Sequence, residues 1–528
     1  ARGAPPSSPR RPSRGTGGGN GSPPPGAAGR LTPPDPGKAL EGVIEGETIP
    51  DAVFRQYEGA VETAARQERL NLAAGATKLR AAGKTPGVPD ADIDALYSAL
   101  HGEGAVPSNL QGIYDDVKAL LAEEEALTLD FNPKFRLHPD YFPRFWQEPK
   151  VTKTGVGGFG GKPAFVKPRV DATFNELVEA GYTPRTMNPY EMVALRRMAG
   201  AEYREQSRLL GILQDRGLVS AVEGPLPTGW RIPDVTGAVF QPKPYVDAEG
   251  LIHFTAPKMV PNGVANVLEQ LFGRQLNWGT AGNVDVHAAI SAVFNGPKRV
   301  KLFGSLFQQA DFANRTGFAT FGGALNDLIT GHPLSAVMKT VRLPLNIGEL
   351  IGANLSPRWR ENLARTMISD APVNKMRPGV TWKLISNEGL STGDVSAFNR
   401  TMRDSLTQAV EGQKPVGRAR QIGNQLNGAM ERGLFEGVYP QAQKTAIENF
   451  IAPALMRLHP DWTDAQLAGS IAVEANKMFS SMGRSQSALR HLNRNLTEVA
   501  RMLVFSTNET EALLKQAGSV FRGPNKEL

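Results

Sequence analysis

Along most of this chain apolar residues recur at the three- and four-residue spacing of amphipathic helices. From Ile49 to Leu129, Val53, Tyr57, Val61 and Ala64 fall at i, i+4, i+8 and i+11, and 90–100 and 110–127 repeat the habit around short Gly/Pro breaks. Asn188-Pro189 predicts a helix with Asn as N-cap and Pro at its first position. Met192, Leu195, Met198, Leu209 and Leu213 form its apolar series, and Gly217 ends it after about 28 residues. Arg196, Arg197, Arg204, Glu205 and Arg208 leave this helix one apolar stripe, which places it on a domain surface or between subunits. The pattern changes between Leu218 and Phe254, where Val219, Val222, Trp230, Ile232, Tyr245-Val246 and Leu251-Ile252-His253-Phe254 predict a small antiparallel sheet. Helical spacing returns after Pro261 with Val264, Val267, Leu268, Leu271 and Phe272. Near the end, Thr463-x-x-Gln466 is a capping box for a helix whose Leu467, Ile471, Ala475, Met478 and Phe479 share a face. A last helix is expected from about Ser485, with Leu492, Leu496, Val499 and Leu503 on one side.

The fold class read from this pattern is mainly α: multi-domain helical bundles with a small antiparallel β region near 218–256 and a disordered N-terminal arm. The divisions expected are a Pro/Gly-rich basic arm over 1–48, a small helical domain over 49–129, and an extended aromatic, Pro- and Gly-rich connector over 130–187. Next come the long helix with the β region over 188–260, a helical domain over 261–396, and a C-terminal helical domain over 397–528. Prolines at 133, 139, 143 and 149 stop the connector from forming one helix, so Phe131, Phe135, Tyr141, Phe142, Phe145 and Trp146 are expected to anchor a strap onto its neighbours.

Composition narrows the function classes. The chain has 528 residues, 40% hydrophobic and 21% charged, enough for two to four domains with buried cores. Its net charge of +7 is a mild excess that favours a polyanionic neighbour such as nucleic acid. The absence of cysteine removes disulfides, Cys-based zinc sites and thiol nucleophiles. The longest apolar window, 324–345, is interrupted by Asp327, His332, Pro333, Lys339 and Arg342, so no ordinary membrane span is expected.

Candidate chemistry is sparse. Gly155-Val156-Gly157-Gly158-Phe159-Gly160 has the glycine spacing of a dinucleotide loop, but a polar stretch precedes it and Pro163 follows, so the strand and helix that would aim amides at phosphate are missing. The seven histidines, at 101, 138, 253, 287, 332, 459 and 491, show no ligand spacing, and no metal site, cofactor or catalytic residue is expected. Glu123-Glu124-Glu125 point in different directions around a helix and predict a solvated face. Phe303, Phe307, Phe312, Phe318 and Phe321, interspersed with small residues, suit close helix packing, with affinity for a membrane surface as the alternative. The candidate binding residues are basic. Arg10, Arg11 and Arg14 lie in the N-terminal arm, which reads as a plain linker or as a follower of phosphate backbones. On the last helix Arg490, Arg494 and Arg501 fall within about 40° of one another, opposite the apolar stripe. Such a stripe suits DNA, an anionic lipid surface or an acidic partner, or it is a solvated face.

Gly433-Leu434-Phe435, the helix with Lys444 and Phe450, Ala475-Asn476 before Phe479, the Arg-rich helix, and Arg501 to Ser506 followed by Thr510-Glu511 resemble a domain of the large polyvalent and internal virion proteins of tailed bacteriophages. Asp140-Tyr141-Phe142-Pro143-Arg144-Phe145-Trp146 is similar to an aromatic-proline motif that precedes that domain. What the resemblance implies is a virion structural protein, an internal core or ejection protein that assists genome delivery, with no catalytic residue to transfer. Its implied partners are copies of itself, portal or core proteins, packaged DNA and, in passing, the host membrane; it would be assembled in the bacterial cytoplasm and carried in the virion. The alternatives are a head-tail or tail component, or a virion enzyme such as a peptidoglycan hydrolase or polymerase fragment.

Overall fold

The computed structural model describes residues 47–130, 186–222, 224–235, 252–272, 331–399 and 432–479, with shorter pieces between them. These residues are mainly helical, with a small three-stranded antiparallel sheet.

The N-terminal elements follow the sequence punctuation. Helix α1 (Ile49–Ala81) starts where the Thr48 side chain accepts from the amide of Asp51 and Pro50 fixes the first turn. Helix α2 (Ala91–Leu100) is capped by Asp90, and α3 (Gln111–Leu129) follows a 3-10 turn at Ser108–Leu110. Two short strands, β1 (Trp146–Gln147) and β2 (Thr183–Pro184), pair antiparallel. Helix α4 (Pro189–Asp215) has the predicted N-cap, with Asn188 accepting from the Tyr190 amide, and the chain leaves it through Gly217 at φ +65°.

Strands β3 (Ser220–Ala221), β4 (Trp230–Arg231), β5 (Pro244–Val246), β6 (Ile252–Phe254) and β7 (Lys258–Pro261) form the β region. Strand β7 lies in the middle of a three-stranded antiparallel sheet in the order β3-β7-β4, while β5 and β6 make a separate hairpin with Tyr245 opposite His253. Helix α5 (Asn262–Phe272) closes this part, tied to β4 where Arg231 reaches Glu269 at 2.8 Å. Strands β8 (Thr280–Ala281) and β9 (Val284–Asp285) form one more hairpin.

The later described residues are helical. Helix α6 (Pro333–Leu355) meets α7 (Pro357–Met367) at the Ser356 cap, and α8 (Trp382–Asn387) is capped by Thr381. From Leu434 to Leu458 a continuous helical run contains α9 (Tyr439–Ala446) and α10 (Ala452–Leu458), each preceded by a π turn, at Leu434–Val438 and Ile447–Ile451. Each π turn ends two residues before a proline, Pro440 or Pro453, whose ring and missing N–H exclude the regular bonding pattern. Helix α11 (Asp464–Met478) opens with the predicted capping box, Thr463 and Gln466 satisfying each other's amides. No helix among the described residues is long and apolar enough to cross a membrane.

Three apolar clusters hold these elements. One joins α1 to α4 with Phe398 and Met402, the second packs the end of α4 on the sheet and α5, and the third gathers α6 to α11. Phe142 of the aromatic connector is buried in the first, edge-on to Tyr97 at 5.5 Å and to His101 at 5.2 Å, which is the anchoring role expected of it.

Two sequence expectations are corrected. Helix α4 is not a surface helix: Arg196 and Arg197 are buried with it, because Glu68 of α1 meets the Arg197 guanidinium at 2.7 Å and Glu123 meets it at 3.0 Å. The acidic triplet is not wholly solvated either, since Glu124 is buried against Arg204 and Thr128. A stripe of charge on a helix reads as exposed only while its counter-charges, far away in sequence, are unknown.

Candidate functional site

The densest polar constellation lies where α1 crosses the segment 386–395. Arg55, Gly59, Glu62, Arg66 and Arg69 recur at four- and three-residue steps, so they share one face of α1. Helix and segment approach closely because position 59 has no side chain: a Cβ there would stand 2.5 Å from the Gly389 nitrogen and from the Ser386 carbonyl oxygen. Arg55 donates to both carboxylate oxygens of Glu47 at 3.0 Å, to Glu388 Oε2 at 3.0 Å and to the Glu388 carbonyl. About three turns further along the helix, Arg66 donates to Asp394 Oδ2 at 2.8 Å, to Ser386 Oγ at 3.0 Å, to the Met367 carbonyl at 3.3 Å and to the Thr392 hydroxyl. Arg69 bridges Asp394 and, at 2.7 Å, Glu436 of the first π turn.

Glu62 completes the cluster from the opposite charge. Its Oε2 accepts the backbone amides of Asp394 and, at 3.2 Å, Val395. Burial pushes this carboxyl up to about 7, and the neighbouring Asp394 adds to the rise, while Arg66 and the two amides oppose it. Asp394 goes the other way: burial works against its charge, but Arg66 and Arg69 hold it below the usual carboxylate range. The two acids therefore divide the work, Asp394 staying ionised between two guanidinium groups while Glu62 keeps a proton to higher pH.

A second buried carboxylate, Asp327, meets Lys339 at 2.8 Å, Arg457 at 2.8 Å and the Ser335 hydroxyl. Burial opposes its charge, yet these donors hold it at about 2. It locks α6 to α10.

Both clusters are closed by protein. A pocket near the first, between α1 and α4 and lined by Gln56, Tyr57, Glu205 and Arg208, has room for about one water molecule, near 10 Å³. Among the described residues no three metal-ligating side chains converge. What this arrangement does chemically is fasten: it ties the first described helix to residues more than 300 positions later, and it raises the pKa of one carboxyl, Glu62.

The later segment, 433–479, enters the same junction. Asn476 is fully buried and donates to the Gly389 carbonyl at 2.8 Å while accepting the Ser391 amide at 3.0 Å. Gly433 and Gly437 lie where α6 passes, and a Cβ at either would collide with Asn354 or Ala353. The basic residues singled out from sequence, Arg10, Arg11, Arg14, Arg490, Arg494 and Arg501, lie outside the described residues, as do the glycine-rich stretch 155–160 and Phe303 to Phe318. Sequence periodicity gave no sign of the Glu62–Asp394 pair. Its one local trace is the row of charged residues at helical spacing on α1. Comparison with protein-family models, with curated proteins and with solved structures finds no match.

Proposed function

We propose that this chain is a structural component of a tailed-phage particle, an internal core or ejection protein that packs with copies of itself and with portal or core proteins and accompanies DNA during delivery. The role is mechanical rather than catalytic. One observation carries it: the segment bearing the phage-like motifs is built into the body of the fold, its Glu436 and Asn476 closing the structure onto α1 and 386–395. The use made of buried charge supports the same reading, because the guanidinium and carboxylate groups of both clusters bind segment to segment.

Mass spectrometry of purified particles of the phage encoding this chain tests the proposal. The chain is expected in full particles and lost from particles that have released their DNA. Absence from full particles rejects the virion role, and retention after release rejects ejection in favour of a head-tail or tail position. A zymogram and a nucleotide-incorporation assay on the purified chain are both expected blank; activity in either rejects the mechanical role.

A further inference from the structure

Helix α6 carries an apolar face that stays exposed over most of its length. Leu334, Met338, Val341, Leu345, Gly348 and Leu355, with Gly352 between the last two, follow an unbroken 4-3-4-3-4-3 spacing. Leu334, Leu345 and Leu355 are 79%, 65% and 75% exposed, and the stripe is open except at Gly352, where the Trp359 ring lies. The other side of the same helix holds it to the body through buried Leu350 and Ala353. An apolar stripe of this length on a solvent-exposed face marks a contact surface.

We propose that α6 is the interface between two copies of this chain, paired antiparallel about a two-fold axis between Leu345 and Gly348. A strict 3.5-residue repeat is the signature of a seam that follows another helix. Val337 and Ile351, 58% and 56% exposed, widen the apolar face on one flank. The positions flanking the seam on the other side are Arg342 and Glu349, one of each sign, and Glu349 also accepts through Oε2 from Gln441 of its own chain at 2.7 Å. Antiparallel pairing about the stated axis sets Arg342 opposite the partner's Glu349, and Glu349 opposite the partner's Arg342. Sliding the pair by one heptad faces Arg342 with its own copy, so charge fixes the register. Shape agrees: Leu345 falls over the partner's Gly348, where a Cβ would meet nothing within 4 Å. The interface extends the assembly reading, and the two fail separately: self-association is measured on the pure chain, whatever the particles contain.

Sedimentation velocity of the full chain over a range of concentrations is expected to show a reversible dimer. Gly348→Leu adds bulk that the single chain accommodates and removes a helix-weakening glycine, so the melting temperature should hold or rise. In the dimer it overfills the seam and should raise the dissociation constant about ten- to a hundredfold. Arg342→Glu should weaken the dimer, and adding Glu349→Arg should recover it. A monomer at every concentration overturns the proposal, as does a dimer indifferent to both variants. Two further results point to other occupants and also overturn it: co-sedimentation with phosphatidylglycerol vesicles in place of self-association, or a monomer that Gly348→Leu destabilises, which shows the chain's own remainder on this face.

Discussion

Glu62 is the residue whose behaviour is most open to measurement. Its carboxyl binds a proton more tightly in the folded chain, near 7, than its ordinary value of 4.5 in the unfolded one. Between those values the folded state holds more protons, so this group's contribution to stability falls as pH rises from about 4.5 to 7 and stays low above. Glu62→Gln keeps an oxygen for the two backbone amides without the titration. Calorimetry should find the variant close to the parent at pH 5 and about 2–4 °C more stable at pH 8; equal melting temperatures at both would show that Glu62 does not titrate as described. Asp394 contributes with the opposite sign, its stabilisation being lost only as pH falls through its depressed range. Arg66→Ala, which strips a fully buried aspartate of its best partner, should cost about 3–5 kcal/mol in denaturant unfolding. None of this was legible in sequence. Glu62 and Asp394 stand 332 residues apart, and each alone resembles any solvated acid on a helix or in a loop.

At the scale of elements the sequence spoke more clearly, because caps and periodicity are local. Asn188-Pro189 and Gly217 bracket α4 within a residue or two of where it begins and ends, and Thr463 opens α11 as its box foretold. Thr463→Ala should therefore cost about 1 kcal/mol, read as a lowered unfolding midpoint. What local signals did not give is which side of a helix faces inward when charge lines both sides. Helix α4 shows this in Arg197, charged and yet buried against Glu68. The crossing of α1 over 386–395 was equally hidden, since a single glycine in a helix carries no mark of its neighbour. Gly59→Ala is expected to destabilise by about 1–3 kcal/mol or more, because both atoms it would strike belong to backbone. A melting temperature unchanged by this substitution would mean that the two elements stand further apart than described.

For the whole molecule, the mainly helical class and the small β region were readable from composition and spacing, while the joining of early and late segments was not. The proposed contact with DNA is tested at this scale as well. Neutralising Arg490, Arg494 and Arg501 together should lower affinity for duplex DNA and flatten its logarithmic salt dependence by about 0.9 for each phosphate the arginines no longer neutralise. An unchanged slope in filter binding would assign those arginines to solvent. The tie between Arg66 and Asp394 has a further consequence for how the protein is made. The two residues are separated by 328 positions. At about 5–20 residues per second, a ribosome releases Asp394 some 15–65 s after Arg66. Through that interval Arg66 and Arg69 of α1 lack Asp394 and Glu436, and Glu62, not yet buried, is ionised. Final closure must wait for the 386–395 segment and then for Glu436 and Asn476. Synthesis rate and chaperone supply, more than the stability of any one helix, would then govern how much of this protein reaches its finished form.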